Sequence, residues 1–373
     1  PVPEPDPDGL SHVIYVWMAA LTNYLSDLCP PDGTIGGRDV ERYFPSTIHL
    51  IGKDILRFHS VYWPAFLMAA KLPLPKGVFA HGWWTVRGEK ISKSMPATRI
   101  DPIKLADALG AGSPAGRAIG VDAMRYYLLR EMPLGNDGDF TFESLFGRFN
   151  AELANDLGNL INRSLTLIVK MSAETAPVRD DALYAAGENP HWQLEQHAAE
   201  ACKNAAAQLD LIAPSRALEA IWRFVAVANR YIDQTQPWAM ARTKDKALGH
   251  TLWCLQATLW VMARLIAPVL PATARELRRW IGDGDGSGSM TWPEPAGGRV
   301  LPLAPASLKA STPSPLFPRL DDKLQQAILD KIVPPDVAAT ISSPAGAAAA
   351  PVAKAAAGPE PRGEPLAPIK IDD

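Results

Sequence analysis

"TIHLIGKDILRFHSVYWPAFLMAA", Thr47 to Ala70, decides the architecture of the first part of the chain. Ile48 to Ile51 form a short apolar run, too short for a helix, that stops at Gly52. Beyond it, Ile55, Phe58, His59 and Tyr62 recur at helical spacing, on one face. A buried strand ended by glycine and followed by a helix is the unit of a layered α/β domain. The preceding stretch "HVIYVWMAALTNYLSDL" repeats the design, with a β-type run over His12 to Val16 and helical spacing around Leu21 and Leu25. The following stretch "GVFAHGWWTVRGEKIS" reads as two strands leading into a loop. Strands alternating with helices at this spacing predict a largely parallel sheet.

After Asp101 the periodicity turns helical. "VDAMRYYLLREM" is amphipathic, and Leu and Ile keep helical spacing through "ELANDLGNLINRSLTLIVKMS". Two further long helical segments follow, from Trp192 to Trp238 and from Lys246 to Gly282. The expected fold class is therefore α/β then all-α. The α/β part covers residues 1–101, a connecting region 102–146, and an α-helical bundle 147–282. Residues 283–373 are rich in Pro, Ala and Gly and read as a flexible linker, with a short helix near 320–332.

The whole chain sets bounds on function. Its 373 residues, 47% hydrophobic, can fill more than one core. A formal charge of -3 excludes a uniformly basic coat but not a local basic face. Cys29, Cys202 and Cys254 are far apart, with no CxxC pair, which speaks against a disulfide framework or a structural zinc site; no metal ligands are expected. Reduced, cytoplasmic surroundings fit this usage. No long apolar run lacks a charge, so no membrane span is expected. The opening "PVPEPDPDGL" is neither a signal nor a transit peptide, and the chain reads as entering partway through a domain.

Three features carry chemistry. Gly52 lets backbone approach a nucleotide, and Asp54 can accept from ribose hydroxyls, although for so short a motif a turn glycine and a helix cap are the more common explanation. Trp17, Ala20 and Tyr24 on one segment, and Ile55, His59 and Trp63 on another, place aromatics at helical spacing. Such a set is commonly core, but it also suits a small polarizable side chain such as that of methionine. The loop "RGEKISKSMP" gathers Lys90, Ser92 and Lys93 after a glycine, as a surface loop would, or as a cationic loop over a polyphosphate would.

In order along the chain, W-x-x-A…Y, then G-K-D-I…H…W, then H-G-W…G-x-K-I-S-K-S, then R-Y-Y-L-L-R resembles the second half of the catalytic domain of class I aminoacyl-tRNA synthetases. It resembles the methionyl-tRNA synthetase family in particular, over roughly Pro1 to Gly282. "KISKS" is similar to the family's KMSKS loop, with Ile91 in place of methionine. The resemblance implies a Rossmann-like catalytic half followed by an anticodon-binding bundle, and a methionine–tRNA ligase that forms methionyl-adenylate from ATP and L-methionine and charges methionine tRNA. It implies a methionine pocket at Trp17, Ala20, Tyr24, Ile55, His59 and Trp63, and ATP contacts at Gly52, Asp54, Lys90, Ser92 and Lys93, with Lys90 and Lys93 catalytic. It further implies anticodon contacts at Asn159, Arg163 and Trp238, and Mg2+ accompanying ATP.

The chain departs from the family pattern. No HxGH motif occurs in it, so adenylate formation by this stretch unaided is not expected; Ala19 stands where relatives carry Asp. The final "PIKIDD" reads as the threshold of a further tRNA-binding module through which a homodimer would form. Alternatives are another class I synthetase (for leucine, isoleucine, valine or cysteine) and a non-catalytic tRNA-binding or scaffolding protein.

Overall fold

The computed structural model describes residues 15–30, 37–86, 88–91, 100–185, 189–284, 290–304 and 309–332. Ser92 and Lys93, the beginning of the chain through residue 14, and residues 333–373 lie outside them.

The first part is built on two parallel strands. β1 (Ile48–Gly52) pairs with β2 (Gly77–His81), Leu50 opposite Phe79. Strand alternation turns His49 and Ile51 inward while Ile48 and Leu50 remain exposed. The crossover between the strands carries a short 3-10 turn (Lys53–Ile55), a π turn (Phe58–Tyr62) and, after α1 (Val16–Ser26) and α2 (Arg38–Tyr43) in chain order, α3 (Trp63–Ala69). Leu21 and Leu25 of α1, Val40, Phe44, Trp63 and Leu67 close a small core against this crossover. Val16, expected at the end of a strand, instead opens α1; the Met-Ala-Ala-Leu that follows it favours helix strongly enough to draw it in.

A second sheet leads out of the first. β3 (Trp84–Val86) pairs antiparallel with β4 (Glu89–Lys90) and parallel with β5 (Gly138–Asp139). Between β4 and β5 lie α4 (Pro102–Gly110) and α5 (Arg117–Arg130). Asp101 caps α4 by accepting from the backbone N–H of Ile103 and Lys104 at 3.0 and 3.1 Å, with Pro102 at the first helical position. Only glycine fits at 120, where a Cβ would lie 1.8 Å from the Ala106 carbonyl oxygen, so the two helices cross in backbone contact.

The bundle follows. α6 (Phe142–Arg148) continues through a π stretch (Phe149–Gly158) into α7 (Asn159–Met171). Carbonyls in the π stretch reach side chains of a neighbour: Glu152 O accepts from Trp222 Nε1 at 3.2 Å and Asp156 O from Asn229 Nδ2 at 3.1 Å. A short α8 (Ala182–Ala185) precedes the long hairpin of α9 (Pro190–Asp210) and α10 (Pro214–Thr235). α11 (Pro237–Thr243), α12 (Leu248–Ile266) and α13 (Pro271–Ile281) complete it, with α12 buried along nearly its whole length.

α5 staples the connecting region to the bundle at the α12–α13 corner. Asp122 is buried and accepts from the N–H and hydroxyl of Thr273 at 2.7 and 2.8 Å, satisfying the start of α13. Arg125 donates to the carbonyls of Pro268 and Val269, both at 2.9 Å, just past the end of α12.

The stretch expected as linker differs over 290–304 and 309–321, which pack onto the bundle, and the helix expected near 320–332 is present. Val300, Leu301, Leu316, Phe317 and Leu320 are buried. Glu195, 1% exposed, accepts from the N–H of Val300 and Leu301 at 2.5 and 3.0 Å, and Asn150 exchanges two hydrogen bonds with Leu320. α14 (Asp322–Ile332) lies against α4 with Ile328 and Ile332 buried. The composition is proline-rich, but these scattered apolar residues supply the burial that orders it.

Candidate functional site

α1 and the crossover bring most of the expected pocket residues together. Trp17 stacks on Phe58 with ring centroids 4.1 Å apart and planes 9° from parallel, and meets His59 edge-on at 6.2 Å. His59 is buried, and its Nδ1 lies 3.0 Å from the Ile55 carbonyl, one turn back. A carbonyl only accepts, so Nδ1 carries the ring proton and Nε2 accepts from the Tyr24 hydroxyl at 3.0 Å. Ile55 thus enters through its carbonyl, while Ala20 lies on the exposed side of α1 beside the equally exposed Ala19. Trp63, 2% exposed, donates from Nε1 to His49 Nε2 at 3.2 Å. The sequence reading passed over His49, Phe44 and the stacking role of Phe58, although strand alternation from Ile51 already places His49 on the inner face.

The G-K-D turn and the lysine loop are tied to one short segment. Gly52 leaves room for the residue after next: a Cβ there would lie 2.7 Å from Asp54 Oδ1. Gly52 itself, not Asp54, holds the cap position of the short turn, and Asp54 is exposed. Lys53 bridges to Asp137 at 2.5 Å and sits 4.6 Å over the Trp83 ring. Asp137 also accepts from the Trp83 N–H at 2.9 Å; the Lys53 hydrogen bond, then this one, hold its carboxyl below the usual carboxylate range. Two residues on, Asp139 Oδ1 accepts from Gly88 N–H at 2.9 Å and from the Thr85 hydroxyl at 2.6 Å. Gly88 turns the β3–β4 hairpin at φ +75°, which favours glycine. Lys90 lies in β4 opposite Thr85, and Ile91 and Ile100 line an apolar cavity of about 120 Å³ walled by Trp84, Tyr127 and Phe140. In the sequence, the two carboxylates flanking a glycine in "NDGDF" are the available signal for this tie.

At the bundle, Asn159 and Arg163 stand one turn apart on α7, Asn159 exposed. Arg163 pairs with Asp233 of α10 at 2.5 Å, a partner the sequence reading missed. Trp238, 36% exposed, is the second residue of α11, which starts after Gln236 turns the chain through the left-handed region at φ 45° and lies against α7.

One buried trio has metal-ligand chemistry: His191, His250 and Cys254, whose candidate ligand atoms lie within 4.8 Å of one another. The backbone N–H of Asp180 donates to His250 Nδ1 at 2.9 Å, which leaves the ring proton on Nε2, 3.4 Å from Cys254 Sγ. A metal-bound imidazole keeps its outer nitrogen protonated, the reverse of this arrangement. His191 Nδ1 meets the Tyr231 hydroxyl at 2.8 Å. The trio is a hydrogen-bonded cluster, and burial, then His191, push His250 down to about 4.

Comparison with known proteins agrees with this layout. Residues 1–165 match the family model for class I tRNA synthetases (M), and residues 183–332 that for the anticodon binding domain of methionyl tRNA ligase. The methionine–tRNA ligase of Caldanaerobacter subterraneus is 38% identical over 330 residues, 86% of this chain and 47% of the relative. That of Brucella suis is 42% identical over 273 residues, 73% and 49%. A solved structure of Mycobacterium tuberculosis methionyl-tRNA synthetase in complex with methionyl-adenylate superposes with a TM-score of 0.66 at 36% identity, covering 84% of this chain and 58% of the other. The chain thus spans about half the length of the curated relatives it matches. With a class I synthetase segment followed by a methionyl-type anticodon domain, the chain belongs to the methionyl-tRNA synthetase family.

Proposed function

We propose that the full-length protein carrying this chain is a methionine–tRNA ligase acting in the cytoplasm. The observation that carries the reading is the ring cluster around His59, one turn from a G-K-D turn that Asp137 and Asp139 tie to the lysine-loop hairpin. Trp17, Tyr24, Ile55, His59 and Trp63 line the pocket for the methionine side chain, with Ala20 at its solvent-facing edge, and the thioether packs well on rings. Gly52 and Asp54 receive the adenosine, and Lys90, Ser92 and Lys93 the phosphates.

A methionine carboxylate oxygen attacks the α-phosphorus of ATP, forming an O–P bond as the bond to pyrophosphate breaks. Charge grows on the departing pyrophosphate, where Lys90 and Lys93 stabilise it. Mg2+ accompanies ATP and shields its phosphates; no residue of this chain is assigned to hold it. A terminal ribose hydroxyl of methionine tRNA then attacks the adenylate carbonyl and AMP leaves. No side-chain nucleophile is needed, so positioning supplies most of the catalysis. Asn159, Arg163 and Trp238 hold the anticodon, with Trp238 exposed for stacking on a splayed base.

The test is ATP–pyrophosphate exchange by the full-length protein. Methionine should drive it; exchange driven only by leucine or valine would assign a different synthetase. Lys93→Ala should slow adenylate formation by two or more orders of magnitude, in the range lost with a transition-state charge contact, and leave tRNA binding intact. Trp238→Ala should do the opposite, weakening tRNA binding by about 1–3 kcal/mol with exchange unchanged.

A further inference from the structure

The centre of the ring cluster is a residue that the reading above leaves without a task. His49 is 4% exposed and stands on the inner face of β1. Four rings surround it: Tyr24 at 4.6 Å, His59 at 5.7 Å, Phe44 at 6.2 Å, and Trp63, whose indole N–H it accepts. We propose that His49 is a positioning residue for methionine recognition: its Nε2 fixes the rotation of the Trp63 indole against Tyr24, whose ring lies 6.3 Å from that of Trp63. The inference rests on the methionine–tRNA ligase reading.

Packing alone does not call for histidine here. An aliphatic side chain would fill the same inner strand position, and a buried indole N–H would then lack its acceptor. Because Nε2 accepts, the His49 proton sits on Nδ1, so the contact exists only while the ring is neutral. Burial and then the neighbouring His59 both lower its pKa, which keeps it so. His59 is oriented independently, through the Ile55 carbonyl and the Tyr24 hydroxyl. Trp63 follows His59 by one turn and its ring meets Tyr24, so what His49 adds is the rotation of the indole within that wall. A loosened indole changes the shape of that wall without touching the nucleotide or the lysine loop.

The experiment is methionine-dependent ATP–pyrophosphate exchange by the full-length protein and its variants. His49→Leu should raise the KM for methionine about tenfold, with kcat and the KM for ATP within about threefold of wild type, the pattern of lost ground-state positioning. His49→Gln, whose amide oxygen reaches the Nε2 position, should recover most of the loss. Should His49→Leu fail to fold, His49→Phe supplies the test: it keeps a ring in place without the acceptor and should show the same rise in the methionine KM. A methionine KM within twofold of wild type in His49→Leu overturns the proposal. So does a Gln variant as impaired as Leu, or a loss shared equally by methionine and ATP. Absence of methionine-dependent exchange in the wild-type protein would remove the ligase reading and this inference together, whereas normal wild-type exchange with an unaffected His49→Leu removes only the inference.

Discussion

Gly52 shows how one missing side chain separates stability from chemistry. Its backbone is extended (φ -70°, ψ 145°), which any residue adopts, so glycine is not required there by strain. The obstacle to a larger residue is the Asp54 carboxylate, whose Oδ1 would lie 2.7 Å from an added Cβ. Asp54 is exposed, where a displaced polar contact is worth about 1 kcal/mol or less. Gly52→Ala should therefore change stability by less than about 1 kcal/mol, in line with alanine at a compatible backbone site. The same displacement moves the group assigned to the ribose, so the KM for ATP in exchange should rise several-fold. Thermal unfolding and exchange kinetics on the same preparation separate the two; a destabilised variant with unchanged ATP affinity would contradict the argument.

At the scale of elements, the β3–β4 hairpin owes its shape to a side chain from far along the chain. Asp139 receives both the Gly88 N–H and the Thr85 hydroxyl, so the turn that delivers Lys90 hangs on one carboxylate. Asp139→Ala removes two exposed contacts and should cost little stability. It should slow adenylate formation on the order of tenfold, because small displacements of a charged group cost rate steeply. Single-turnover formation of the adenylate reads that loss; an unchanged rate would show that the hairpin holds its form alone. The elements themselves were largely legible. β1 declared itself by its short apolar run ending at Gly52, and the helices from Phe142 to Ile281 by apolar spacing. Long-range partners were not: Asp137 for Lys53, Asp139 for Gly88 and Asp233 for Arg163 lie 84, 51 and 70 residues away. Periodicity reports on local faces, and nothing local marks which distant carboxylate will meet a given cation. The π stretch was also invisible, since its carbonyls are satisfied by Trp222 and Asn229 on another helix.

At the scale of the whole molecule, the described residues divide into two cores of unequal weight. The small one beneath the ring cluster is bordered by exposed apolar residues, among them Val16, Met18, Ile48, Leu50 and Met68, whereas the large one runs continuously from α4 to α14. Composition hid the last part of that large core, because Pro and Ala around Val300 and Leu316 read as linker. The large core also buries titratable groups, and this sets its response to acid. His250 is 2% exposed and pushed down to about 4, while an unfolded histidine takes its proton near 6.5. Between those values the unfolded chain binds more protons, so stability is full above about 6.5 and falls as the pH drops toward 4. For one such group the loss from about pH 7 to about pH 5 is about 2 kcal/mol. Asp122 and Glu195 work the other way: burial pushes both carboxyls up, the folded state then binds more protons, and stability is gained as pH falls in the acid range. The informative quantity is therefore the difference between two slopes. His250→Leu loses the acceptor for the Asp180 N–H and should be less stable than wild type at pH 7, yet its stability should fall by about 2 kcal/mol less on going to pH 5. Urea unfolding at the two pH values measures both slopes; parallel slopes would mean that His250 is not held neutral in the folded bundle.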